Sequence, residues 1–158
     1  MYKVNRIKSA VIFPFVQEIF ETGGKARITV TGTSMYPFLR DGIDSVELSK
    51  TDIRWIRRGD IVLARRDDGA YVLHRVWSRD MDAFYMVGDA QMWIDGPYRS
   101  DQLIAAVHRL WRKEREVSCK AITWRVLTTI WLWIRPFRGI VARVGGKFKR
   151  LVKRIIKK

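Results

Sequence analysis

Residues 26–37, with the sequence ARITVTGTSMYP, decide the fold expected for this chain. Apolar and polar side chains alternate over residues 26–31, and several of them are β-branched, which predicts a strand with one buried face. Gly32 and the small polar residues after it predict a turn. The segment therefore indicates a β domain in which a strand delivers Ser34 at its end.

Outward from this strand, further short strands are predicted by β-branched and alternating residues. They cover residues 44–48, 60–65, 70–77, 84–87 and 103–112. Asp67, Asp68 and Gly69 separate two of these strands and form a hairpin signal, because glycine supplies the positive φ that such turns require. The expected fold class is mainly β, with a mostly antiparallel sheet over residues 25–116.

The N-terminal region, residues 1–24, predicts a short amphipathic helix. Pro14 suits the first turn of a helix, and Gly23-Gly24 ends the pattern. The apolar residues recur at helical spacing: Phe15, Val16, Ile19 and Phe20. Pro14, Gln17 and two glutamates interrupt the apolar run, so neither a cleavable signal peptide nor an N-terminal membrane span is expected.

Residues 117–158 form a basic tail with a different composition. The net charge of the chain is +15, yet residues 1–116 hold 19 Lys/Arg against 16 Asp/Glu, whereas residues 117–158 hold 12 Lys/Arg and no acid. Residues 121–134 are apolar and tryptophan-rich, but as a helix they rise only about 21 Å, too little to span a bilayer core comfortably. In residues 138–158 the apolar residues line one face of a predicted helix and Lys/Arg fill the rest, as in a helix that lies in the plane of a membrane surface. The tail, from residue 121 onward, is therefore predicted to bind an anionic membrane surface.

The small numbers of cysteine and histidine residues exclude two classes of site. Cys119 is the single cysteine, so no internal disulfide forms, and His74 and His108 are the only histidines. These residues are too few for a zinc centre, and no metal or other cofactor is expected.

Three motifs in order supply the groups of a serine hydrolase. Ser34 lies in the Gly-Thr-Ser turn, His74 lies in the apolar stretch Leu-His-Arg-Val, and Asp89 follows Gly88, with Asp95 six residues later. A serine hydroxyl becomes a nucleophile when an imidazole takes its proton, and a carboxylate orients that imidazole. Either Asp89 or Asp95 meets the last requirement by residue type.

Between residues 23 and 111 the chain resembles the signal peptidase I family in its endoplasmic-reticulum and archaeal form. The resemblance rests on Ser-Met-x-Pro at 34–37, Arg-Gly-Asp at 58–60, His-Arg-Val at 74–76, and Gly-Asp with a second Asp six positions on. That form uses Ser-His-Asp, whereas the bacterial branch uses Ser-Lys. Members usually carry a membrane span just before the serine, and no such span is predicted here.

The resemblance implies a role for each matching residue. Ser34 is the expected nucleophile and His74 the general base, and Asp95 is preferred over Asp89 for orienting the imidazole. Asp89 then supports the site. Met35 and Pro37 are expected to shape a substrate floor that accepts small side chains. The backbone N–H of Ser34 is the expected oxyanion donor, with Thr31 and Thr33 as candidates for the second donor.

The resulting hypothesis is a serine endopeptidase that removes a leader or signal segment from a precursor at a membrane surface, on its cytoplasmic face. Two alternatives stay open. One is a catalytically inactive module that binds peptides while its tail docks on lipid. The other is a nucleic-acid-binding protein, suggested by the charge of the tail alone; the regular apolar spacing and tryptophans of the tail favour lipid, so no nucleic-acid partner is expected.

Overall fold

The part of the chain that the structure describes forms an eight-stranded antiparallel sheet with one helix before it and one helix after it. The computed structural model describes residues 9–113 and 115–135, with side chains from residue 15 onward. Its elements are, in chain order, α1 (Ser9–Glu21), β1 (Lys25–Thr29), β2 (Asp44–Lys50), β3 (Ile61–Arg65), β4 (Tyr71–Arg79), β5 (Ala83–Val87), β6 (Asp95–Arg99), β7 (Leu103–Arg112), β8 (Arg115–Ser118) and α2 (Ile122–Trp133). The mainly β fold class predicted from the sequence is confirmed.

The sheet topology brings distant segments of the chain together. The strands pair in the order β1-β2-β7-β3-β4-β5-β6, and β8 pairs with β7. The predicted hairpin joins β3 to β4, with Arg65 opposite Tyr71 and Gly69 at a φ of 81° in the turn. All neighbouring strands run antiparallel, so the segments around residues 34, 74 and 95 approach one another from separate turns and strands.

Helix α1 begins earlier than the sequence predicted. Pro14 was placed in the first turn, but the helix already includes Ser9, so the proline is its sixth residue. A proline inside a helix removes one backbone hydrogen bond, and the rest of the helix can continue around it. The predicted end is confirmed, because Gly24 donates to the Ile19 carbonyl at 2.9 Å and Gly23 to the Phe20 carbonyl at 3.0 Å, a Schellman motif.

The hydrophobic core has two parts that meet along the sheet. One part joins α1 to β1, β2 and β7 and includes Phe20, Val46 and Leu110. The other lies among β3, β4, β5 and β6 and includes Val62 and Phe84. Together they fix the strands that carry the candidate site.

Two strands were missed by the sequence analysis. Strand β6 contains Gly96 and Pro97, which resemble a turn, but β6 is an end strand, where a residue without an N–H is tolerated. Asp95 is the first residue of this strand. Strand β8 is a short polar strand that pairs only with β7.

Helix α2 is packed onto the β domain. One face buries Trp124, Thr128 and Leu132, spaced four residues apart. The boundary predicted between residues 116 and 117 falls inside β8, so the structure has no break there. The predicted amphipathic helix over residues 138–158 lies outside the described residues.

No helix within residues 9–113 or 115–135 is both long enough and apolar enough to cross a membrane.

Candidate active site

Ser34 lies in a turn that the end of β1 presents to the rest of the sheet. Gly32 has a φ of 88°, a left-handed conformation that favours glycine, and its N–H donates to Oδ1 of Asp41 at 3.0 Å. The chain then turns through Ser34, whose side chain is half-buried, and the Tyr36–Pro37 peptide bond is cis. Ser34 thus lies in a turn after β1, as the sequence predicted, although the strand ends at Thr29 and not at Thr31.

Gly88 fixes the position of the Ser34 turn from across the sheet. The Ser34 carbonyl accepts a hydrogen bond from the Ala90 N–H at 2.8 Å. A Cβ atom at Gly88 would lie only 2.7 Å from that carbonyl oxygen, closer than van der Waals contact allows. Glycine is therefore required at this position. The Gly-Asp motif in the sequence gives no sign that its glycine packs on the Ser34 carbonyl.

His74 lines the same small cavity as Ser34. It belongs to β4, pairs with Val62 of β3, and is 4% exposed. The cavity has a volume of about 130 Å³, and its walls come from the β1 turn and from β4. The lining residues are Val30, Thr31, Gly32, Ser34, Met35, Tyr71, Val72, Leu73 and His74.

Asp95 is the carboxylate beside the imidazole. Its Oδ2 lies 3.9 Å from Nδ1 of His74, longer than a hydrogen bond. Arg66 and the Tyr98 hydroxyl donate to the same Oδ2, the hydroxyl at 2.9 Å. Nδ1 of His74 is buried and has no hydrogen-bond partner among the described residues. Ser34 and His74 therefore line one cavity and Asp95 lies beside the ring, but the imidazole and the carboxylate are not hydrogen-bonded.

Burial decides the charge of His74. Loss of hydration lowers the pKa of the imidazole from its usual 6.5, and Arg66 lowers it further, while Asp95 and, more weakly, Asp89 raise it. The neutral ring is thus favoured near neutral pH. A neutral ring is what a general base requires.

Asp89 has a different partner. Its carboxylate accepts two hydrogen bonds from Arg75, at 2.9 and 2.6 Å, and both side chains are fully buried. Arg75 also donates to the Gly59 carbonyl at 2.7 Å. The sequence left two candidates for orienting His74. Of these, Asp95 lies next to the ring. Asp89 instead forms a buried ion pair with Arg75, which also binds the Gly59 carbonyl.

The remaining predicted site residues divide between the cavity and its surroundings. Met35 is buried and lines the cavity, whereas Pro37, in the same turn, does not belong to the lining. Thr31 also lines the cavity, while Thr33 lies outside it and its carbonyl accepts the Tyr36 N–H at 3.1 Å. Of the two threonines considered as a second oxyanion donor, Thr31 is the one that reaches the cavity.

A larger cavity of about 380 Å³ contains His108 and Cys119, a pair that could be mistaken for a nucleophile and its base. Burial raises the pKa of the Cys119 thiol to about 12. A reactive cysteine needs the opposite shift, toward the thiolate. This cavity therefore lacks the chemistry of a thiol nucleophile.

Within the described residues, no three His, Cys, Asp or Glu side chains are grouped closely enough to hold a metal ion.

No model of a known protein family matches the chain, and no curated protein matches it.

Proposed function

We propose that this chain is a serine endopeptidase that removes a leader or signal segment from a precursor at a membrane surface. The observation that carries the proposal is the cavity that Ser34 and His74 both line, with Oδ2 of Asp95 at 3.9 Å from Nδ1 of His74. Three segments far apart in the sequence supply these groups. Such a convergence is a recognised basis for a site hypothesis.

The chemistry follows from which atom faces which neighbour. Nδ1 of His74 faces Asp95, which leaves Nε2 to accept the Ser34 proton as Oγ attacks the scissile carbonyl carbon. The carbonyl π electrons move to oxygen, and the Ser34 N–H stabilises the resulting oxyanion. Collapse breaks the C–N bond, and the imidazolium gives its proton to the departing amine. Water then hydrolyses the acyl-serine ester by the same proton transfers in the second half-reaction.

The cavity suits a small side chain before the scissile bond. Its volume of about 130 Å³ has room for a residue such as alanine, and the buried Met35 and the β4 residue Leu73 form its walls. We therefore propose precursors with small residues at this position.

The membrane part of the proposal is supported by exposed apolar side chains on α2. The face opposite Trp124 exposes Leu127, Ile130 and Trp133, which are 57%, 52% and 74% accessible. The adjacent loop exposes Met92, Trp93 and Ile94, and Arg135 at the end of α2 donates to the Met92 carbonyl. Clustered exposed apolar groups of this kind mark interaction surfaces.

The charge of the tail selects the kind of membrane. Residues 117–158 hold 12 Lys/Arg and no Asp or Glu. This positive charge favours binding to anionic lipid, which is concentrated in the cytoplasmic leaflet. We propose peripheral association with that leaflet through α2 and the residues after it.

The test compares cleavage by matched serine variants. Wild-type protein with anionic vesicles is incubated with a peptide library that carries small residues at varied positions, and mass spectrometry identifies new termini. Ser34→Ala should lower the rate by several orders of magnitude, because the nucleophile is lost. Ser78→Ala, an exposed serine of β4, should cleave as wild type does. Equal processing by wild type and Ser34→Ala would exclude the peptidase.

The same variants separate the peptidase from a silent peptide-binding module. A binding module would retain the peptides it captures in the Ser34→Ala variant and release no new termini from any variant.

A further inference from the structure

The carboxylate that should orient His74 is occupied by other donors. Oδ2 of Asp95 accepts hydrogen bonds from Arg66 and from the Tyr98 hydroxyl, and Nε of Arg66 donates to the Tyr98 oxygen at 3.2 Å. Nδ1 of His74 stands 3.9 Å from the same oxygen without a hydrogen bond. Arg66 thus holds the oxygen that the imidazole would need.

We propose that Arg66 is a positioning residue that withholds Asp95 from His74, so that the site rests in a restrained state and becomes competent when Arg66 releases the carboxylate. The inference rests on the proposed function, because such restraint matters only if His74 acts as a base. Its test does not require peptide cleavage.

Arg66 acts on the imidazole in two ways. It occupies the acceptor oxygen of Asp95, and its own charge disfavours a proton on the nearby ring. The other groups that influence the ring are Asp95 and Asp89, which favour the protonated form, and its burial, which opposes it. Removing Arg66 should therefore let Asp95 accept from Nδ1 and make the ring more basic.

The surroundings allow Arg66 to move while the carboxylate stays in place. The Arg66 side chain is 37% exposed and lies beside an open cavity of about 300 Å³ that Asp95 and Tyr98 also line. Asp95 belongs to β6, and burial raises the pKa of the Tyr98 hydroxyl to about 12, so Tyr98 remains a donor that anchors Oδ2. The fully buried pair of Arg75 and Asp89 has no such freedom.

The experiment is an NMR titration of His74 in the full-length protein. The midpoint of its ring signals is compared among wild type, Arg66→Gln and Arg99→Gln, an exposed control that loses the same charge and does not contact Asp95. The expected result is an upward shift of the midpoint in Arg66→Gln and none in Arg99→Gln. An unchanged or lowered midpoint in Arg66→Gln, or an equal rise in the control, would overturn the proposal.

A second comparison separates the release of Asp95 from the loss of charge alone. Arg66→Gln should raise the His74 midpoint more in the wild-type background than in an Asp95→Asn background. Equal rises in both backgrounds would refute the withholding of Asp95. Arg66→Lys keeps the charge but cannot bond Asp95 and Tyr98 together, so it should raise the His74 midpoint by less than Arg66→Gln does. It replaces Arg66→Gln in the experiment if the glutamine variant does not fold.

Peptide cleavage by the same proteins reports on the proposed function separately. A raised midpoint without any cleavage would overturn the peptidase and leave the coupling of Arg66, Asp95 and His74 in place.

Discussion

At the scale of single residues, the site depends on one glycine as much as on its reactive groups. Gly88 lets the loop after β5 lie against the carbonyl of Ser34, and the Ala90 N–H completes that contact. The same loop carries Asp89, whose carboxylate binds Arg75 from β4. The Ser34 turn is thereby tied to the strand that bears His74.

Gly88→Ala should therefore displace the Ser34 turn. The added methyl group would clash with the backbone oxygen of Ser34 as well as with the flexible Gln91 side chain, and overpacking of this kind costs about 1–3 kcal/mol. Urea unfolding should show that loss, together with reduced cleavage. Ala90→Ser, which enlarges an exposed residue of the same loop, should retain wild-type stability. A Gly88→Ala protein as stable as wild type would contradict the assigned contact.

The buried imidazole should make stability depend on pH. Because burial lowers the pKa of His74 below its unfolded value of 6.5, the unfolded chain binds the proton more tightly. The stabilisation is present above the unfolded pKa and is lost as the pH falls from there through the folded pKa.

The free energy of unfolding, measured with urea from about pH 7.5 to about pH 5, should therefore fall more steeply for wild type than for His74→Gln. The pKa of His108 is also lowered by burial, but His108 is present in both proteins and its effect cancels. Parallel slopes would show that His74 is not buried as a neutral ring.

At the scale of elements, α2 has one face for the fold and another that is exposed. The inner face packs Trp124 edge-on against Phe38, at a centroid distance of 5.3 Å, and Nε1 of Trp131 donates to the Asp89 carbonyl at 3.1 Å. Helix α2 therefore buttresses both the Ser34 turn and the Asp89 loop. Its outer face contributes little to that packing.

Substitutions on the outer face of α2 should weaken vesicle binding, whereas substitutions on its inner face should lower the free energy of unfolding. Replacing Leu127, Ile130 and Trp133 together by serine should weaken flotation with anionic vesicles at least about tenfold and leave thermal stability unchanged, since these side chains are exposed. Trp124→Ala should instead cost about 3–5 kcal/mol of unfolding free energy, as for other buried tryptophans. Undiminished vesicle binding by the triple variant would remove α2 from the proposed membrane surface.

At the scale of the whole molecule, charge is separated along the chain. Residues 1–116 are nearly balanced, whereas residues 117–158 carry only positive charge. A domain joined to such a segment is expected to associate with anionic surfaces in a salt-dependent way.

Replacing Lys153, Arg154, Lys157 and Lys158 by glutamine should weaken vesicle binding, because each cation near an anionic surface contributes about 1 kcal/mol. Flotation is measured at about 50 mM and about 500 mM salt, and the difference between the proteins should shrink at the higher value. The control replaces Lys25, Lys50, Arg54 and Arg99, which removes the same charge from the exposed surface of the β domain. Equal weakening of vesicle binding in the control variant would refute the role of the tail in membrane binding. So would a wild-type protein that shifts DNA in a gel but binds no vesicles.

Features of the fold that depend on neighbouring residues could be predicted from the sequence. Alternation and turn chemistry indicated six of the eight strands and the hairpin at Gly69, and the motifs named Ser34 and His74. Local patterns suffice there because strand faces and tight turns are set by side chains a few positions apart.

Features that depend on contacts between distant segments could be established only from the folded structure. Strand β6 contains glycine and proline, and its place at the end of the sheet makes it a strand. The choice between Asp95 and Asp89, the need for glycine at position 88 and the packing of α2 all follow from which segments the sheet brings together. These contacts join residues that are tens of positions apart in the sequence. The local pattern around one residue does not reveal which distant residue will lie beside it in the fold.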